Sequence, residues 1–165
     1  MANITLYHGS LVSVPLPLVN VGRKDLDFGQ GFYVTDIRTQ AEEWARTLKG
    51  RSKKQAIPVL NIYHYTDDGE QDCKVLLFPE YDKDWLEFIC SSRRGERPWE
   101  GFDIIKGGIA NDSVIDTVDA YMAGLIDETT ALGRLTYHKP NNQICFLNQN
   151  LVNQHLIFVA SENLE

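Results

Sequence analysis

The sequence lacks the features of a membrane-spanning, secreted or zinc-binding protein. No apolar run approaches the roughly 18 residues that a membrane-spanning helix needs. The first residues carry neither the basic segment nor the apolar run of a signal peptide, so we expect a cytoplasmic protein with no membrane partner. Only three cysteines occur, and the spacing of Cys73, Cys90 and Cys145 fits no zinc pattern. We therefore expect reduced, mostly buried thiols and no metal ion.

Positive charge is also scarce, since 16 lysines and arginines stand against 23 aspartates and glutamates and leave a net charge of −7. Broad binding to nucleic acid needs a basic surface, so nucleic acid is a less favoured partner than protein. Two short basic clusters, Arg93–Arg97 and Lys49–Lys54, have the composition of solvated loops. With 165 residues, 43% of them hydrophobic, the chain has the size and composition of one globular domain covering residues 1–165.

Hydrophobic periodicity predicts many short strands and a few helices. Strands are predicted at 4–8, 32–35, 58–65, 75–78, 102–105, 142–146 and 156–160, and helices at 38–48, 81–91, 113–123 and 129–135. Thr35 or Asp36 is the expected N-cap of the first helix, and Asp112 that of the third. Because no βαβ unit repeats, the pattern predicts an α+β fold rather than a doubly wound parallel sheet.

The first candidate segment is Tyr7-His8-Gly9-Ser10, at the end of the first strand. A histidine there can donate or accept a hydrogen bond at a ligand hydroxyl. The glycine that follows lets a ligand approach the backbone N–H and C=O closely. Taken alone, the segment is more typical of a strand that ends in a turn.

The second candidate segment is Gly29-Gln30-Gly31-Phe32-Tyr33, where two glycines precede an aromatic strand. It indicates either backbone packed against a planar or phosphorylated group, or a glycine-rich turn with core aromatics. A Rossmann site is disfavoured because no third glycine opens a helix. Eleven residues after Tyr33, Trp44 lies on the predicted apolar face of a helix, where it could nearly as well be a core tryptophan.

The third candidate segment is Asn142-Gln143, a polar entry into the strand that ends at Phe146. Alternation along a strand places Gln143 and Cys145 on one face, with Ile144 and Phe146 on the other. The side-chain amide of Gln143 could meet a ligand, or it could bond the backbone at a strand edge. Each of the three segments is ambiguous by itself.

Together, in this order, the three segments resemble the ADP-ribosyltransferases of the diphtheria-toxin and poly(ADP-ribose) polymerase type, which carry His, Tyr and Glu on three separate strands. His8-Gly9 is similar to the His-Gly of that class, and residues 29–36 are similar to its Gly-x-Gly-Ile-Tyr-Phe-Ala-Asp segment. Trp44 stands where the class has a second aromatic residue. Asn142-Gln143 stands where the class has Asn-Glu.

The chain resembles a bacterial family of unknown function, DUF3990, more closely still, over nearly its whole length. The shared segments are Tyr7–Ser10, Asp27–Tyr33, Phe102–Asp112 and Lys139–Phe146. The resemblance implies an ADP-ribosyltransferase fold in which two small antiparallel or mixed sheets surround an NAD cleft, with flanking helices. Members of the family look like bacterial toxins or effectors, so an antitoxin protein is an implied partner.

The resemblance implies NAD as co-substrate, without a metal. His8 would bond a ribose hydroxyl, the backbone of Gly9 would hold the nicotinamide carboxamide, and Tyr33 and Trp44 would pack around the nicotinamide ring. Arg23 could meet the pyrophosphate or be an exposed loop arginine. The full set of implied NAD-binding residues is His8, Gly9, Ser10, Arg23, Gly31, Tyr33 and Trp44.

The implied reaction cleaves the nicotinamide–ribose bond and passes ADP-ribose to an acceptor, with His8, Tyr33 and Gln143 as catalytic residues. In the class, a glutamate faces the positive charge that develops on the ribose. Gln143 has no charge and cannot act as a general base. We therefore expect slow mono-ADP-ribosylation, with protein as the expected acceptor, and no polymer synthesis. The alternatives are a catalytically weak or inactive NAD-binding module, an NAD glycohydrolase and a nucleic-acid ADP-ribosyltransferase.

Overall fold

The computed structural model describes residues 3–22, 26–110 and 112–165, without the side chain of Asp112. In these ranges the predicted strands and helices are all present, with displaced ends. In chain order the elements are β1 (Asn3–Ser10), β2 (Phe32–Val34), α1 (Arg38–Arg51), β3 (Val59–Thr66), a 3-10 helix (Asp67–Asp72), β4 (Val75–Phe78), α2 (Lys83–Arg93), β5 (Ile104–Gly107), α3 (Asp112–Met122), α4 (Glu128–Leu135), β6 (Gln143–Phe146), α5 (Gln149–His155) and β7 (Leu156–Asn163).

The strands form two small sheets. The first sheet has the order β1-β3-β7 and is antiparallel throughout. The second has the order β2-β6-β5-β4, antiparallel except for the parallel pair β4–β5. The predicted α+β class, with two small antiparallel or mixed sheets and flanking helices, is confirmed.

One hydrophobic core lies between the two sheets. Leu6 of β1 and Tyr63 of β3 meet Phe32 of β2 and Phe146 of β6 there, and all four side chains are buried. Strand β3 contributes Tyr63 and Tyr65 to this core, two residues apart, while His64 between them points to the other face and is exposed. The opposite face of the second sheet forms the other core with the helices.

The second core packs α2, α3 and α4 against that opposite face. Trp85 is its largest fully buried side chain, and its indole N–H donates to Gly108 O at 2.7 Å. Cys145 of β6 belongs to this core, while its neighbours Ile144 and Phe146 belong to the core between the sheets. Strand β6 is therefore covered on both faces, and its alternation is the one that the sequence predicts.

Four local expectations were wrong. Helix α5 was not expected, although Asn148 caps it by accepting from Asn150 N and Leu151 N. The basic segment 49–54, expected to be a loop, continues α1 as far as Arg51. The 3-10 helix at Asp67–Asp72 occupies a stretch for which neither a helix nor a strand was predicted. The N-cap position of α1 is Ile37, without a side-chain cap, because Thr35 instead accepts from Ile37 N.

The expected cap of the third helix concerns the side chain of Asp112, which lies outside the described part of the chain, and α3 begins at that residue. In the described ranges no helix is long and apolar enough to cross a bilayer, and no group of three or more His, Cys, Asp or Glu side chains could hold a metal ion. All three cysteines are free, and Cys90 and Cys145 are buried.

Candidate functional site

Strands β1 and β2 belong to different sheets and meet through one backbone pair. The Tyr7 N–H donates to Thr35 O at 2.8 Å, and the Thr35 N–H donates to Tyr7 O at 2.9 Å. The same register would place Gly9 opposite Tyr33, but no backbone hydrogen bond joins these two residues. The strands therefore separate beyond the Tyr7–Thr35 pair, and we call the gap between Gly9 and Tyr33 the β1–β2 wedge.

The backbone of Gly9 faces this wedge. Backbone groups alternate along a strand, so the N–H and C=O of Gly9 point to the same side as those of Tyr7, away from β3. Among the described residues neither group has a hydrogen-bond partner on that side, although Gly9 is buried. Buried backbone groups without partners are uncommon because each costs free energy. Because they lack partners in the described ranges, the N–H and C=O of Gly9 can bond a ligand that enters the wedge.

His8 bridges β1 to β2 beside the wedge. Its Nδ1 lies 2.7 Å from Tyr33 O, and its ring centre lies 4.3 Å from that of Phe32. A carbonyl oxygen only accepts, so Nδ1 carries the proton and Nε2 keeps its lone pair. Burial lowers the pKa of His8, against the smaller opposing effect of the bond to Tyr33. The imidazole is therefore neutral near pH 7, and Nε2 can accept a hydrogen bond from a hydroxyl.

Three of the predicted site residues share one face of these strands. Paired residues in an antiparallel pair point to the same side, and so do residues two apart on one strand. The single β1–β2 pair therefore places Gly9 and Tyr33 on one face. Tyr33 pairs with Cys145, which places Gln143 on that face too, roughly 7 Å diagonally from Tyr33. His8 points to the other face and contacts Tyr33 only at its carbonyl.

Tyr33 presents a fixed ring rather than a reactive hydroxyl. Its OH donates to Gly29 O at 2.6 Å and accepts from Phe28 N at 3.1 Å. Its ring lies nearly parallel to that of Phe28, with centres 6.5 Å apart. Burial, followed by the nearby Cys145 thiol, raises the pKa of Tyr33 well above its usual range. The phenol therefore stays protonated, and the bonds of its hydroxyl hold the flat apolar ring in place.

Gln143 opens β6 and is partly exposed. Its side-chain amide makes no hydrogen bond to the described residues, so it is not engaged by strand-edge backbone there. Cys145, on the same face, is fully buried, and burial raises the pKa of its thiol strongly. A neutral buried thiol cannot supply the negative charge that Gln143 lacks.

Asn142, the residue before Gln143, bonds Gln40 and Asp36 near the start of α1, and we call this set of hydrogen bonds the polar latch. The Gln40 amide donates to Asn142 O at 3.1 Å and accepts from Asn142 N at 3.3 Å. The Asn142 amide also donates to Asp36 Oδ1 at 2.5 Å. These bonds fix the start of β6 relative to the start of α1.

Trp44 lies one turn beyond Gln40 on α1 and therefore on the same side of the helix. It is 46% exposed, and the Arg51 guanidinium carbon lies 5.6 Å from its ring centre. The prediction that Trp44 shares the apolar face of α1 was wrong, because the helix contacts β1 through the small residues Ala41 and Ala45. An exposed indole beside the latch is available to a flat ligand.

Close packing accounts for the glycines of the second segment. A Cβ at Gly31 would lie 2.5 Å from Cys145 Sγ and 2.6 Å from Phe146 O. Gly29 has a φ of +87°, and a Cβ there would overlap the ring of Trp99 at 2.2 Å. Both positions therefore require glycine whether or not a ligand binds.

The structure gives less support to two other predicted NAD contacts, Ser10 and Arg23. Ser10 accepts a hydrogen bond from Val12 N at 3.3 Å, which makes it part of the turn after β1. Arg23 lies outside the described residues. The site that the structure brings together therefore consists of the Gly9 backbone, His8, Tyr33 and Gln143, with Trp44 on the adjoining helix.

Comparison with known proteins identifies the family of this chain. The family model described as "Protein of unknown function (DUF3990)" matches residues 4–158. This chain belongs to the DUF3990 family. The match runs from β1 into β7, so the DUF3990 resemblance of the sequence is confirmed. No curated protein and no solved structure matches the chain.

Asn61 supports the site of this DUF3990 protein and was not singled out from the sequence. Its fully buried amide donates to His8 O at 3.3 Å and to Val12 O at 3.2 Å, and accepts from Val14 N at 2.8 Å. It therefore fixes the chain that leaves β1 beside the wedge. The available signal was one polar residue on the otherwise apolar face of β3.

Asp27 is the second residue whose structural role the sequence did not reveal. It is 8% exposed, and its Oδ1 accepts from Arg93 Nε at 2.9 Å and forms an ion pair with Arg93 Nη2 at 2.8 Å. Its Oδ2 accepts from Ala110 N at 2.7 Å. Arg93, expected in a solvated loop, ends α2 and holds the residue before Phe28. Nothing in the spacing of Asp27 and Arg93 indicates this pair.

Proposed function

We propose that this DUF3990 protein binds NAD at the β1–β2 wedge and transfers its ADP-ribose, one unit at a time, to a macromolecular acceptor. The observation that carries the proposal is the N–H and C=O of buried Gly9, which have no hydrogen-bond partner in the part of the chain that the structure describes. A primary carboxamide offers one acceptor and two donors, so it can bond both groups at once. Nicotinamide carries such a carboxamide, and the ADP-ribosyltransferase resemblance assigns the same contact to this glycine.

Two aromatic side chains suit the nicotinamide ring, which is flat and cationic in NAD. Tyr33 lies on the face of Gly9, with its hydroxyl already held by the Phe28–Gly29 backbone. Trp44 offers a half-exposed indole from α1. A cation over an aromatic face gains about 0.5–2 kcal/mol, depending on desolvation. In this proposal the ring lies between them.

In the proposed reaction the bond between the nicotinamide nitrogen and ribose C1′ breaks, and its electron pair leaves with nicotinamide. The acceptor nucleophile forms the new bond to C1′ and gives up its proton. The neutral Nε2 of His8 accepts a hydrogen bond from one ribose hydroxyl, and the amide oxygen of Gln143 accepts from another. Neither Tyr33 nor Cys145 provides a base, so the acceptor or solvent takes the proton.

In the proposed reaction, the lack of a negative charge at Gln143 limits the rate at which the nicotinamide–ribose bond breaks. A unit charge about 4 Å from the developing cation contributes about 1–4 kcal/mol at realistic dielectrics. Its loss corresponds to roughly ten- to a thousandfold in rate. We therefore infer slow mono-ADP-ribosylation with a protein acceptor, in keeping with the net charge of −7. A bacterial toxin or effector role with an antitoxin partner is part of this proposal through the family resemblance.

The same observation favours a second candidate function, an NAD-binding module without turnover. A glutamine that bonds ribose without stabilising positive charge would preserve binding and lose chemistry. The two candidates share the wedge, Tyr33 and Trp44, and differ only in whether the nicotinamide–ribose bond breaks.

The decisive assay incubates the protein with NAD labelled on its adenylate part and with bacterial lysate. We expect a labelled macromolecule with the wild type and with the exposed-histidine control His64→Ala, and none with His8→Ala. Protease-sensitive label identifies a protein acceptor, and nuclease-sensitive label a nucleic acid.

The remaining outcomes separate the alternatives. Free ADP-ribose without labelled macromolecule indicates an NAD glycohydrolase. Thermal stabilisation by NAD without release of nicotinamide indicates the binding module. Absence of both label and stabilisation would remove NAD as the ligand.

A further inference from the structure

A groove of about 580 Å³ lies along the outer edge of the second sheet, at β4, three strands away from β2. One wall is the edge strand β4 and the other is the side of α2. Residues of both walls and of the segment after α2 line it, among them Leu77, Asp84, Glu87, Phe88, Pro98 and Phe102. The groove is separate from the β1–β2 wedge and has no part in the proposed NAD chemistry.

The β4 wall presents unpaired backbone groups. The Lys74 carbonyl accepts from Ile104 N at 3.3 Å, so alternation turns the backbone groups of Leu76 and Phe78 towards β5 as well. Those of Val75 and Leu77 then face the open edge, where no described residue bonds them. An exposed edge of this kind accepts an added strand through main-chain hydrogen bonds.

The side chains along this edge are apolar and accessible. Leu77 is 62% exposed and Val75 is 38% exposed. The groove beside them contains the partly buried rings of Phe88 and Phe102. An extended segment places alternate side chains on one face, so every second residue of an added strand covers Val75 and Leu77.

The α2 wall gives the groove a negative charge. Asp84 and Glu87 lie at i and i+3 on the helix and therefore on one side, together with Asp82 before it. None of the described lysines and arginines lines the groove. Of the basic residues adjacent in sequence to the lining, Lys83 lies between Glu87 at 3.9 Å and Glu128 at 3.7 Å, and Arg97 pairs with Glu100 at 3.2 Å. An occupant that complements this wall carries positive charge.

We propose that this groove binds an extended segment of a partner protein in which lysine or arginine alternates with apolar residues. The segment adds to β4 as a strand and bonds the backbone of Val75 and Leu77. On one face of the sheet its apolar side chains cover Val75 and Leu77, and on the other face its basic side chains meet Asp84 and Glu87 of α2. Charge complementarity selects the partner, and the open strand edge holds it.

The test uses short synthetic peptides in which lysine alternates with valine, titrated into the ¹⁵N-labelled full chain. We expect saturable amide shifts concentrated at Val75, Leu77 and residues 84–91, with a Kd of about 1 mM or tighter. A peptide with glutamate in place of lysine should cause none. A lysine peptide that is N-methylated along one edge should bind at least about tenfold more weakly, because it cannot pair with β4.

A matched pair of variants tests the charge. Asp84→Lys should weaken the lysine peptide about fivefold, whereas Asp116→Lys, at an exposed aspartate on α3, should leave its Kd unchanged. Binding of the lysine and glutamate peptides with equal affinity, shifts that avoid β4, or no binding would each overturn the proposal. None of these outcomes depends on NAD turnover.

Discussion

Replacing Asp27 with asparagine should destabilise the protein by removing one charge from a nearly dry site without changing its volume. The carboxylate accepts one hydrogen bond from Arg93 Nε and one from Ala110 N, and it also forms an ion pair with Arg93 Nη2. Asparagine can keep the bond to Ala110 through its amide oxygen. It cannot keep the ion pair, so the Arg93 charge loses its main partner.

The expected magnitude follows from the burial of the pair. Removing one partner of a buried ion pair costs about 3–5 kcal/mol. Arg93 is 21% exposed and retains Asp119 at 3.5 Å, so we expect a smaller loss, about 2–3 kcal/mol. For a chain of this size the melting temperature should fall by roughly 4–12 °C. The comparison variant Asp119→Asn removes a 63% exposed partner and should cost no more than about 0.5 kcal/mol.

Urea unfolding of the two variants measures both free energies. The double variant Asp27→Asn/Arg93→Met, which leaves no unpaired charge, should recover part of the loss. If Asp27→Asn costs no more than Asp119→Asn, the argument that this pair fixes the turn before Phe28 is wrong.

Four further results are expected. Gly9→Ala should cost about 2–3 kcal/mol of unfolding free energy, because its Cβ would lie 2.1 Å from Ala41 O. Trp44→Ala should weaken NAD binding about tenfold by calorimetry and leave stability nearly unchanged, because the ring is half exposed. His8 has a lowered pKa in the folded state, so its contribution to stability should be lost as pH falls below about 6.5, and His8→Gln should remove that component from the pH profile. Gln143→Glu should raise NAD turnover about ten- to a thousandfold while changing NAD affinity much less.

For each of these four predictions there is a control variant or an outcome that would contradict it. Gly50→Ala, on a helix where an added Cβ meets nothing within 4 Å, should stabilise rather than destabilise. Trp44→Phe should retain most NAD affinity, and an unchanged Kd in Trp44→Ala would exclude the indole from the site. A difference between wild type and His8→Gln that stays constant from pH 8 to 5 would contradict a lowered His8 pKa. An unchanged rate in Gln143→Glu would remove Gln143 from the catalytic role.

The strands were the most predictable part of the fold. Alternation identified the two faces of β6, which do enter different cores. The reason is that side-chain direction in a strand depends only on the parity of the residue. The DUF3990 resemblance was also recognisable, because it rests on several separated segments rather than one.

Features that depend on three-dimensional proximity were not predictable. Trp44 was expected on the apolar face of α1, yet the closeness of that helix to Gly9 admits only alanines there. The Asp27–Arg93 pair joins residues far apart in the sequence that no local pattern connects. Helix α5 was missed because it has only seven residues and little periodicity. The β1–β2 wedge arises where two strands of different sheets separate, which no single segment encodes.

The most direct test of the NAD proposal is a crystal structure of the protein with a carbocyclic NAD analogue that cannot be cleaved. The account predicts the carboxamide on the Gly9 backbone, the nicotinamide ring between Tyr33 and Trp44, and a ribose hydroxyl on His8 Nε2. An empty wedge at saturating analogue, or the analogue bound elsewhere, would contradict it.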